Sequence, residues 1–276
     1  MGAYLRPRRL EDALAALRRP HAVLAGGTDF YPARVGQLIA EDILDVSAID
    51  CLRGIVRTDS GWRLGAAATW SEVIEADLPP LFDGLKQAAR EIGGRQIQNA
   101  GTIAGNLCNA SPAADSVPCL LALDAEVEIA GQDGRRCLPL SDFLTGARRT
   151  CLMPGELVVA VHVPRPSHEA RSGFLKLGAR RYLVISIAMV AATLECQDGV
   201  VRAARIAVGA CSPVARRLPL LEAALQGGVC DSSLADRLEL AHLAPLAPID
   251  DVRGSSAYRN DAVMTLLRRL LRSLPT

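Results

Sequence analysis

Residues 99–125 have the sequence NAGTIAGNLCNASPAADSVPCLLALDA. The glycine-rich stretch at 93–115, which overlaps them, is too small and too polar to serve as core packing alone. Residues 101–106 predict a flexible loop with hydrogen-bond donors. Residues 109–115 add further donors, a turn fixed by proline and a carboxylate. Pro118 then fits the first turn of a helix that runs to Leu123. The stretch contains neither GxxxxGK[ST] nor GxGxxG, so it lacks the phosphate-binding signatures of P-loop and Rossmann proteins.

A second glycine-rich stretch, AGGTDF at residues 25–30, follows a short apolar run that predicts a buried strand. Gly26 and Gly27 let successive backbone N–H groups approach an anion, and Thr28 adds a hydroxyl donor. Taken alone, the stretch fits a phosphate-binding loop and a plain glycine turn equally well. Two such loops together are able to clamp a pyrophosphate. Asp115 would repel a phosphate, so it accepts hydrogen bonds from ribose, ribityl or loop amides, or else caps a helix.

Hydrophobic periodicity around these loops predicts an α+β protein in two parts. In the first part it predicts helices at 10–18, 34–38, 70–75 and 84–92, and strands at 22–25, 43–46, 62–66, 125–130 and 157–163. In the second part it predicts an antiparallel sheet with strands at 174–177, 185–195 and 200–208, and helices at 219–225, 234–242 and 258–271. The segment Pro164-Arg165-Pro166 indicates a boundary near residue 165, which gives domains of 1–165 and 166–276.

The composition excludes several classes of protein. The 276 residues are 50% hydrophobic and 22% charged, as in a globular protein that buries a core. A formal net charge of +1 and 4% aromatic residues argue against a nucleic-acid-binding surface. The N-terminus lacks the apolar block of a secretory signal, and no apolar run has the roughly 20 residues that span a bilayer. The sequence therefore predicts a cytoplasmic protein without a membrane span.

No motif for metal binding or acid–base catalysis is present. The eight cysteines are dispersed without a CxxC pair, which predicts reduced, mostly buried thiols rather than metal ligands. The four histidines form no HExxH-like pair, and no serine, histidine and acid occur in a nucleophile motif. Cys108 lies inside the long glycine-rich stretch and is either reactive or a buried spectator. We favour the spectator, because no neighbouring cation or histidine activates it.

The two glycine-rich stretches, in this order, resemble the FAD-binding (medium) subunit of the molybdenum hydroxylases, the xanthine dehydrogenase and carbon monoxide dehydrogenase group. The resemblance extends to KLGARRYLVISIAMVAATLE at residues 176–195 and to both ends of the chain, LRPRRLEDALAAL at 5–17 and AYRNDAVMTLLRRLL at 257–271. It implies an α+β fold in which a two-part FAD-binding domain of the PCMH type precedes a smaller C-terminal domain with an antiparallel sheet and helices.

The resemblance also implies which residues bind FAD. Residues 23–30 would wrap the pyrophosphate, residues of the long stretch would lie on its other side, and three more would approach the flavin ring. The implied residues are Val23, Leu24, Ala25, Gly26, Gly27, Thr28, Asp29, Phe30, Thr102, Gly105, Asn106, Ser111, Asp115, Ile92, Val158 and Lys176. From the residues alone, Ile92 and Val158 fit plain core positions and Lys176 fits a solvated charge.

The function implied is that of an oxidoreductase subunit that transfers electrons without a catalytic side chain or a metal of its own. FAD would accept electrons from a separate [2Fe-2S] subunit of a heteromeric complex and pass them to NAD or another acceptor, while a molybdopterin-containing large subunit binds the substrate. Two alternatives stay open: a free-standing FAD-dependent oxidoreductase, and a non-catalytic scaffold subunit that has lost flavin. Ala104, which stands where the family often has glycine, is the residue that points to the scaffold.

Overall fold

The computed structural model describes residues 2–274 and begins with a small parallel sheet. Its strands have the order β1-β3-β2. They are β1 (Tyr4–Leu5), β2 (Ala22–Leu24) and β3 (Ile43–Asp45), with helix α1 (Leu10–Ala16) between the first two. Leu10 and Ala13 lie on the same face of α1 and are buried, as the periodicity predicts. The parallel pairing places the end of β2 at the opening of the first glycine-rich loop.

A larger antiparallel sheet follows, in the order β4-β5-β10-β6-β7. Its strands are β4 (Ile55–Arg57), β5 (Gly61–Gly65), β6 (Glu126–Gly131), β7 (Gly134–Pro139) and β10 (Leu157–Pro164), and a two-stranded ribbon is formed by β8 (Leu144–Gly146) and β9 (Arg149–Thr150). Ala160 of β10 pairs with Gly65 on one side and with Glu128 on the other. The strand that comes last in the sequence therefore lies in the centre of this sheet.

Six short helices belong to the first part of the chain and pack around this sheet and against one another. They are α2 (Trp70–Glu75), α3 (Asp83–Glu91), α4 (Arg95–Ala100), α5 (Ile103–Asn109), α6 (Ser116–Ala122) and α7 (Leu140–Phe143), with 3-10 turns at Pro32–Arg34, Asp50–Leu52 and Pro80–Phe82. A capping box fixes the start of α2, because Thr69 accepts from the Glu72 N–H and Glu72 accepts from the Thr69 N–H. Trp70, Phe82 and Phe143 are buried at the centre of the core.

The C-terminal part is an antiparallel sheet covered by helices. Its strands run in the order β11 (Glu169–Leu177), β12 (Ala188–Gln197), β13 (Val200–Gly209) and β14 (Arg216–Arg217), and its helices are α8 (Pro219–Leu225) and α9 (Ser256–Ser273). Successive side chains along each strand point to opposite sides of the sheet, and both of its faces are apolar. Val190 and Leu194 of β12 face the core under α8 and α9, whereas Met189 and Ala191 join the core of the first part.

The two parts meet through close backbone packing. Helix α3 lies on β11 so closely that a Cβ on Gly84 would come within 3.0 Å of the Gly173 backbone. The Ser172 hydroxyl donates to the Leu81 carbonyl at 2.6 Å and accepts from the Gly84 N–H at 2.9 Å. The buried Glu195 carboxylate accepts from the N–H groups of the connector between β10 and β11. Together these contacts fix the second sheet against the first part.

Most predicted elements agree with the structure, but three differ. The helix predicted at 34–38 is wrong, because Gly36 has φ +76° and the turn ends at Arg34. The helix predicted at 234–242 is replaced by two 3-10 turns, Ser232–Arg237 and Leu240–Leu243, separated by the extended Leu238. The flexible loop predicted at 101–106 is largely helical, since Thr102 caps α5 through the Gly105 N–H. Within residues 2–274, no helix combines the length and the apolar character that crossing a bilayer requires.

The cysteines also depart from the prediction of reduced, mostly buried thiols. Cys196 and Cys230 are joined by a disulfide. Of the six remaining cysteines, three are exposed: Cys51, Cys108 and Cys137. A pairing between residues 34 apart in sequence has no local signature, which is why spacing did not reveal it.

Candidate functional site

The loop that follows β2 carries unpaired backbone donors. Gly27 has φ +71°, and the ring of Tyr31 packs over it. The carbonyls of Gly27 and Asp29 turn into the loop, where they accept from Tyr31 and Ala33. Among the described residues, the N–H groups of residues 26–30 donate no hydrogen bond. Successive N–H groups left free in this way form a concave surface that favours an anion.

The second loop touches the first where glycine allows it. A Cβ on Gly26 would come within 1.8 Å of the Ala100 carbonyl oxygen, and one on Gly101 would come within 3.4 Å of the Thr28 hydroxyl. Any larger side chain at residue 26 would force the two loops apart. The two glycine-rich stretches, which the sequence predicted to act together, therefore contact each other in the structure.

Unlike the first loop, the second has its backbone donors occupied. The N–H of Ile103 donates to Ala68 at 3.0 Å and the N–H of Ala104 to Ala66 at 3.1 Å. The N–H of Gly105 donates to the Thr102 hydroxyl at 3.1 Å. What this loop offers to a ligand is therefore side chains and the surface of α5 rather than backbone N–H groups.

A cleft of about 480 Å³ opens between the two loops and the edge of the larger sheet. Its volume is in the range of small-molecule and cofactor sites. Twelve of the sixteen residues predicted from the sequence line this cleft: Val23, Ala25, Gly26, Gly27, Thr28, Asp29, Phe30, Ile92, Thr102, Gly105, Asn106 and Val158. The structure thus collects residues from four separate segments of the chain at one site.

Four predicted residues lie outside the cleft lining. Leu24 is buried, on the side of β2 that faces away from the neighbouring Val23 and Ala25. Ser111 forms a local turn, in which its hydroxyl accepts from the Ala113 N–H at 3.3 Å. Asp115 and Lys176 form a cluster of their own at the junction with the C-terminal sheet.

Asp115 is the centre of that cluster. Its carboxylate accepts from the Lys176 ammonium at 2.8 Å and from the Ser186 hydroxyl at 2.6 Å. It does not cap α6 with its side chain. Burial raises the pKa of Asp115, although the charge and hydrogen bond of Lys176 and the hydroxyl of Ser186 oppose that rise. Lys176 also donates to the Val184 carbonyl at 3.4 Å, so the ammonium has protein partners on two sides.

Asn106 and Cys108 lie on α5 at the wall of the cleft. The Asn106 side-chain oxygen accepts from the Ser116 hydroxyl at 2.7 Å, which leaves the amide nitrogen of Asn106 for a ligand. Cys108 follows the exposed Gly105 by one turn and is itself exposed to the cleft. The surrounding protein nevertheless raises the pKa of Cys108 to about 12 by desolvation. At neutral pH this thiol stays protonated, which is the behaviour of a spectator.

Several cleft residues were not identified from the sequence. They include Trp70 at the start of α2, and Leu152 and Glu156 in the segment before β10. The sequence placed Trp70 in a predicted helix at 70–75, but nothing local showed that it reaches the cleft. In the described part of the chain, no group of three or more His, Cys, Asp or Glu side chains is arranged to hold a metal ion.

Comparison with known proteins gives two family matches. Residues 1–166 match the family described as the FAD binding domain in molybdopterin dehydrogenase. Residues 174–274 match the CO dehydrogenase flavoprotein C-terminal domain. Together the two matches extend over almost the entire chain, including both glycine-rich stretches and the sheet that carries Lys176.

Individual relatives match over the same length. A putative xanthine dehydrogenase FAD-binding subunit of Escherichia coli is 31% identical, over 98% of this chain and 94% of the relative. The carbon monoxide dehydrogenase medium chain of Afipia carboxidovorans is 29% identical, over 96% of this chain and 94% of the relative. Among solved structures, the Cu,Mo-CO dehydrogenase in its cyanide-inactivated form superimposes with a TM-score of 0.88 at 28% identity, over 98% of this chain and 96% of that one. Quinoline 2-oxidoreductase from Pseudomonas putida 86 superimposes with a TM-score of 0.89 at 26% identity, over 98% of this chain and 95% of that one.

Proposed function

Because the chain belongs to the family of FAD-binding subunits of molybdopterin dehydrogenases, we propose that it moves electrons from a [2Fe-2S] partner subunit through FAD to NAD or another acceptor. It is an oxidoreductase flavoprotein subunit whose cofactor is FAD. When bound, FAD exchanges single electrons with an iron–sulfur cluster and electron pairs with a carrier such as NAD. The protein's own contribution is to bind, orient and electrostatically tune the flavin.

The observation that carries the proposal is the run of free N–H groups at residues 26–30 on the wall of the cleft. A pyrophosphate is the part of FAD that such donors suit, because they stabilise negative charge without a counter-ion. The glycines at 26 and 27 keep side chains away from the approaching phosphates. The Asn106 amide adds a donor from the opposite wall. The residues present therefore fit the dinucleotide that the family binds.

The remaining predicted residues have distinct roles in the proposal. Ile92 and Val158 supply apolar walls for the ring system. Lys176 supplies the positive charge on the side of the C-terminal sheet, and Asp115 holds it in place. Leu24 and Ser111 contribute through the backbone of the two loops, since their side chains lie away from the cleft. No side chain is assigned a proton transfer.

The proposal extends to the assembly. The [2Fe-2S] subunit and a molybdopterin-containing large subunit would be separate chains in a cytoplasmic complex. In this chain we propose a division near residue 165, with an FAD-binding domain at 1–165 and a C-terminal domain at 166–276. The connector between the two sheets supports that division, because Glu195 binds it through the N–H groups of Ser167 and His168.

The visible spectrum of the purified chain tests the proposal. We expect flavin absorption bands and about one FAD released per chain on denaturation. We then expect the flavin to be reduced by substrate only when the iron–sulfur and molybdenum subunits are present. Colourless protein that takes up no added FAD would favour the scaffold alternative. Bleaching of the isolated chain by a small substrate would favour the free-standing oxidoreductase.

A further inference from the structure

A disulfide joins two pieces of the C-terminal part that are distant in sequence. Cys196 lies at the end of β12, and Cys230 lies in the segment between α8 and the 3-10 turn at Ser232–Arg237. Their Cα atoms are 6.6 Å apart, within the range that a disulfide bridges, and the structure joins the two sulfurs. This bond goes beyond the flavin site and depends on none of its residues.

The segment around Cys230 has few other attachments to the sheet. The N–H of Gly227 donates to Val201 at 2.9 Å, and the N–H of Val201 donates back to Gly228 at 2.9 Å. The N–H of Cys230 donates to the Gly199 carbonyl at 2.8 Å. These bonds hold residues 227–230 to the start of β13 alone. The disulfide adds the attachment to β12, so it closes the segment against both strands of the hairpin.

The environment of the bond allows small reagents to reach it. Cys196 and Cys230 are both half-buried rather than enclosed in the core. Val229, next to Cys230, is 58% exposed. Because neither cysteine is fully enclosed, we expect a small thiol to reach the sulfurs without unfolding of the domain, as it does at labile rather than permanently protected disulfides.

We propose that Cys196 and Cys230 form a reversible redox-modification site whose co-reactant is a small thiol–disulfide couple such as glutathione. In the reducing direction, the thiolate of one reduced glutathione attacks a sulfur of the pair and gives a mixed disulfide and one protein thiol. The thiolate of a second glutathione then attacks the mixed disulfide and releases oxidised glutathione. Cys196 and Cys230 are left as two thiols. The protein disulfide gains two electrons and two protons, and two glutathiones lose them. The oxidised form fixes residues 227–230 to both strands of the hairpin, and the reduced form leaves them held only by the backbone hydrogen bonds to Gly199 and Val201.

Counting thiols on the full chain, with its flavin and any partner subunits retained until denaturation, gives the first test. For the chain purified without reductant, alkylation under denaturing conditions is expected to modify six of the eight cysteines. Prior equilibration of the folded chain with excess reduced glutathione is expected to raise the count to eight, and a count that stays at six would show a permanent structural disulfide and overturn the proposal. A count of eight without reductant would overturn the proposal.

Stability supplies the second test. The two cysteines are 34 residues apart, so opening the loop is expected to raise the unfolding equilibrium constant by roughly 10² to 10³-fold. Amide hydrogen exchange at Gly227 and Cys230 is expected to quicken on reduction, while exchange in the centre of β12 stays slow. Unchanged stability and unchanged exchange after full reduction would show that the bond has no structural effect, and would overturn the proposed switch.

Matched variants separate this site from the other thiols. The double variant Cys196→Ser/Cys230→Ser is expected to lose all response to reductant. The control Cys51→Ser/Cys137→Ser removes two exposed free thiols and is expected to keep the full response. If the double variant does not fold, the thiol count and hydrogen exchange of the wild-type chain still decide the question. None of these readouts depends on FAD, so a failure here is distinguishable from a failure of the proposed electron transfer.

Discussion

Lys176 of β11 donates to Asp115 at the start of α6 with 2.8 Å between Nζ and Oδ2, and this ion pair joins the C-terminal sheet to the long glycine-rich stretch. Both side chains are more than nine-tenths buried. A buried pair of this kind holds a cation at a fixed position relative to the first part of the chain. Under the proposed function, the pair therefore determines what charge the C-terminal sheet presents towards a bound flavin.

Two substitutions in this pair are expected to move the midpoint potential of bound FAD in opposite directions. Lys176→Met removes a cation that favours the more negative reduced flavin, so the potential should fall by tens of millivolts, where ~30 mV corresponds to about 1.4 kcal/mol for two electrons. Asp115→Asn removes the opposing anion, so the potential should rise. Spectroelectrochemical titration measures both. Potentials that stay at the wild-type value in both variants would place Lys176 too far from the flavin to tune it.

Filling the cleft is expected to exclude the cofactor. Cys108 is exposed to the cleft one turn beyond Gly105, so an indole in Cys108→Trp would occupy the space between the loops. We expect the FAD content per chain to fall by roughly tenfold or more, with the circular dichroism of the folded chain retained. Cys137→Trp, at an exposed position on the edge strand β7, is the matched control and should keep wild-type FAD content. Equal flavin content in the two variants would mean that FAD binds elsewhere.

Removing the Glu195 carboxylate is expected to destabilise the junction between the two sheets. Glu195 is 2% exposed and accepts from Arg205 and from the N–H groups of Ser167 at 3.0 Å and His168 at 3.1 Å. Glu195→Ala leaves the N–H groups of Ser167 and His168 without a protein acceptor and removes one of the two carboxylates that pair with Arg205, so the free energy of unfolding should drop by about 1 to 2 kcal/mol. Glu169→Ala, an exposed carboxylate on the adjacent strand, should change it by less than about 0.5 kcal/mol. Urea denaturation of both variants makes the comparison, and similar losses would contradict this role for Glu195.

The pair between Arg136 and Glu156 is expected to make stability depend on pH. The Arg136 guanidinium donates to both Glu156 oxygens, at 2.9 and 2.8 Å, and holds the pKa of Glu156 below its usual value despite partial burial. A carboxylate with a lowered pKa in the folded state stabilises the protein at pH values above its unfolded-state pKa of about 4.3. This stabilisation is lost as the pH falls through the folded-state pKa.

Glu156→Gln should therefore cost a few tenths to about 1 kcal/mol at pH 7, because water screens the half-exposed Arg136. The cost should be smaller at pH 3 than at pH 7, because it is lost progressively as the pH falls through the lowered folded-state pKa of Glu156. Urea midpoints at the two pH values measure the difference. A cost that is the same at both would show that Glu156 acts by hydrogen bonding without its charge.

The parts of the site that sequence could reveal are those that short segments encode. AGGTDF carries its conformation locally, since Gly27 adopts φ +71° and the following residues keep their N–H groups free. The helix over residues 103–109 was missed because its N-terminal donors bond to Ala66 and Ala68, more than thirty residues away in the chain. Glycine content alone indicated a flexible loop where tertiary partners stabilise a helix.

Contacts between residues that are far apart in the sequence could not be predicted from local residue spacing. Asp115 and Lys176 are 61 residues apart, and each was singled out, but nothing in the sequence indicated that they bind one another. The Cys196–Cys230 disulfide and the lining role of Trp70 were invisible for the same reason. Side-chain partners across a fold depend on sheet order and helix packing, which local periodicity does not specify.

The central place of β10 in the larger sheet has a consequence for synthesis. Strands β5 and β6 pair with β10 on either side and not with each other, although both leave the ribosome well before Leu157. Until β10 emerges, each of these strands has an open edge that invites pairing with other chains. We expect nascent chains arrested before Leu157 to be digested readily by protease, and chains arrested well beyond Pro164 to resist it. Early protection would show that the sheet forms another strand order first.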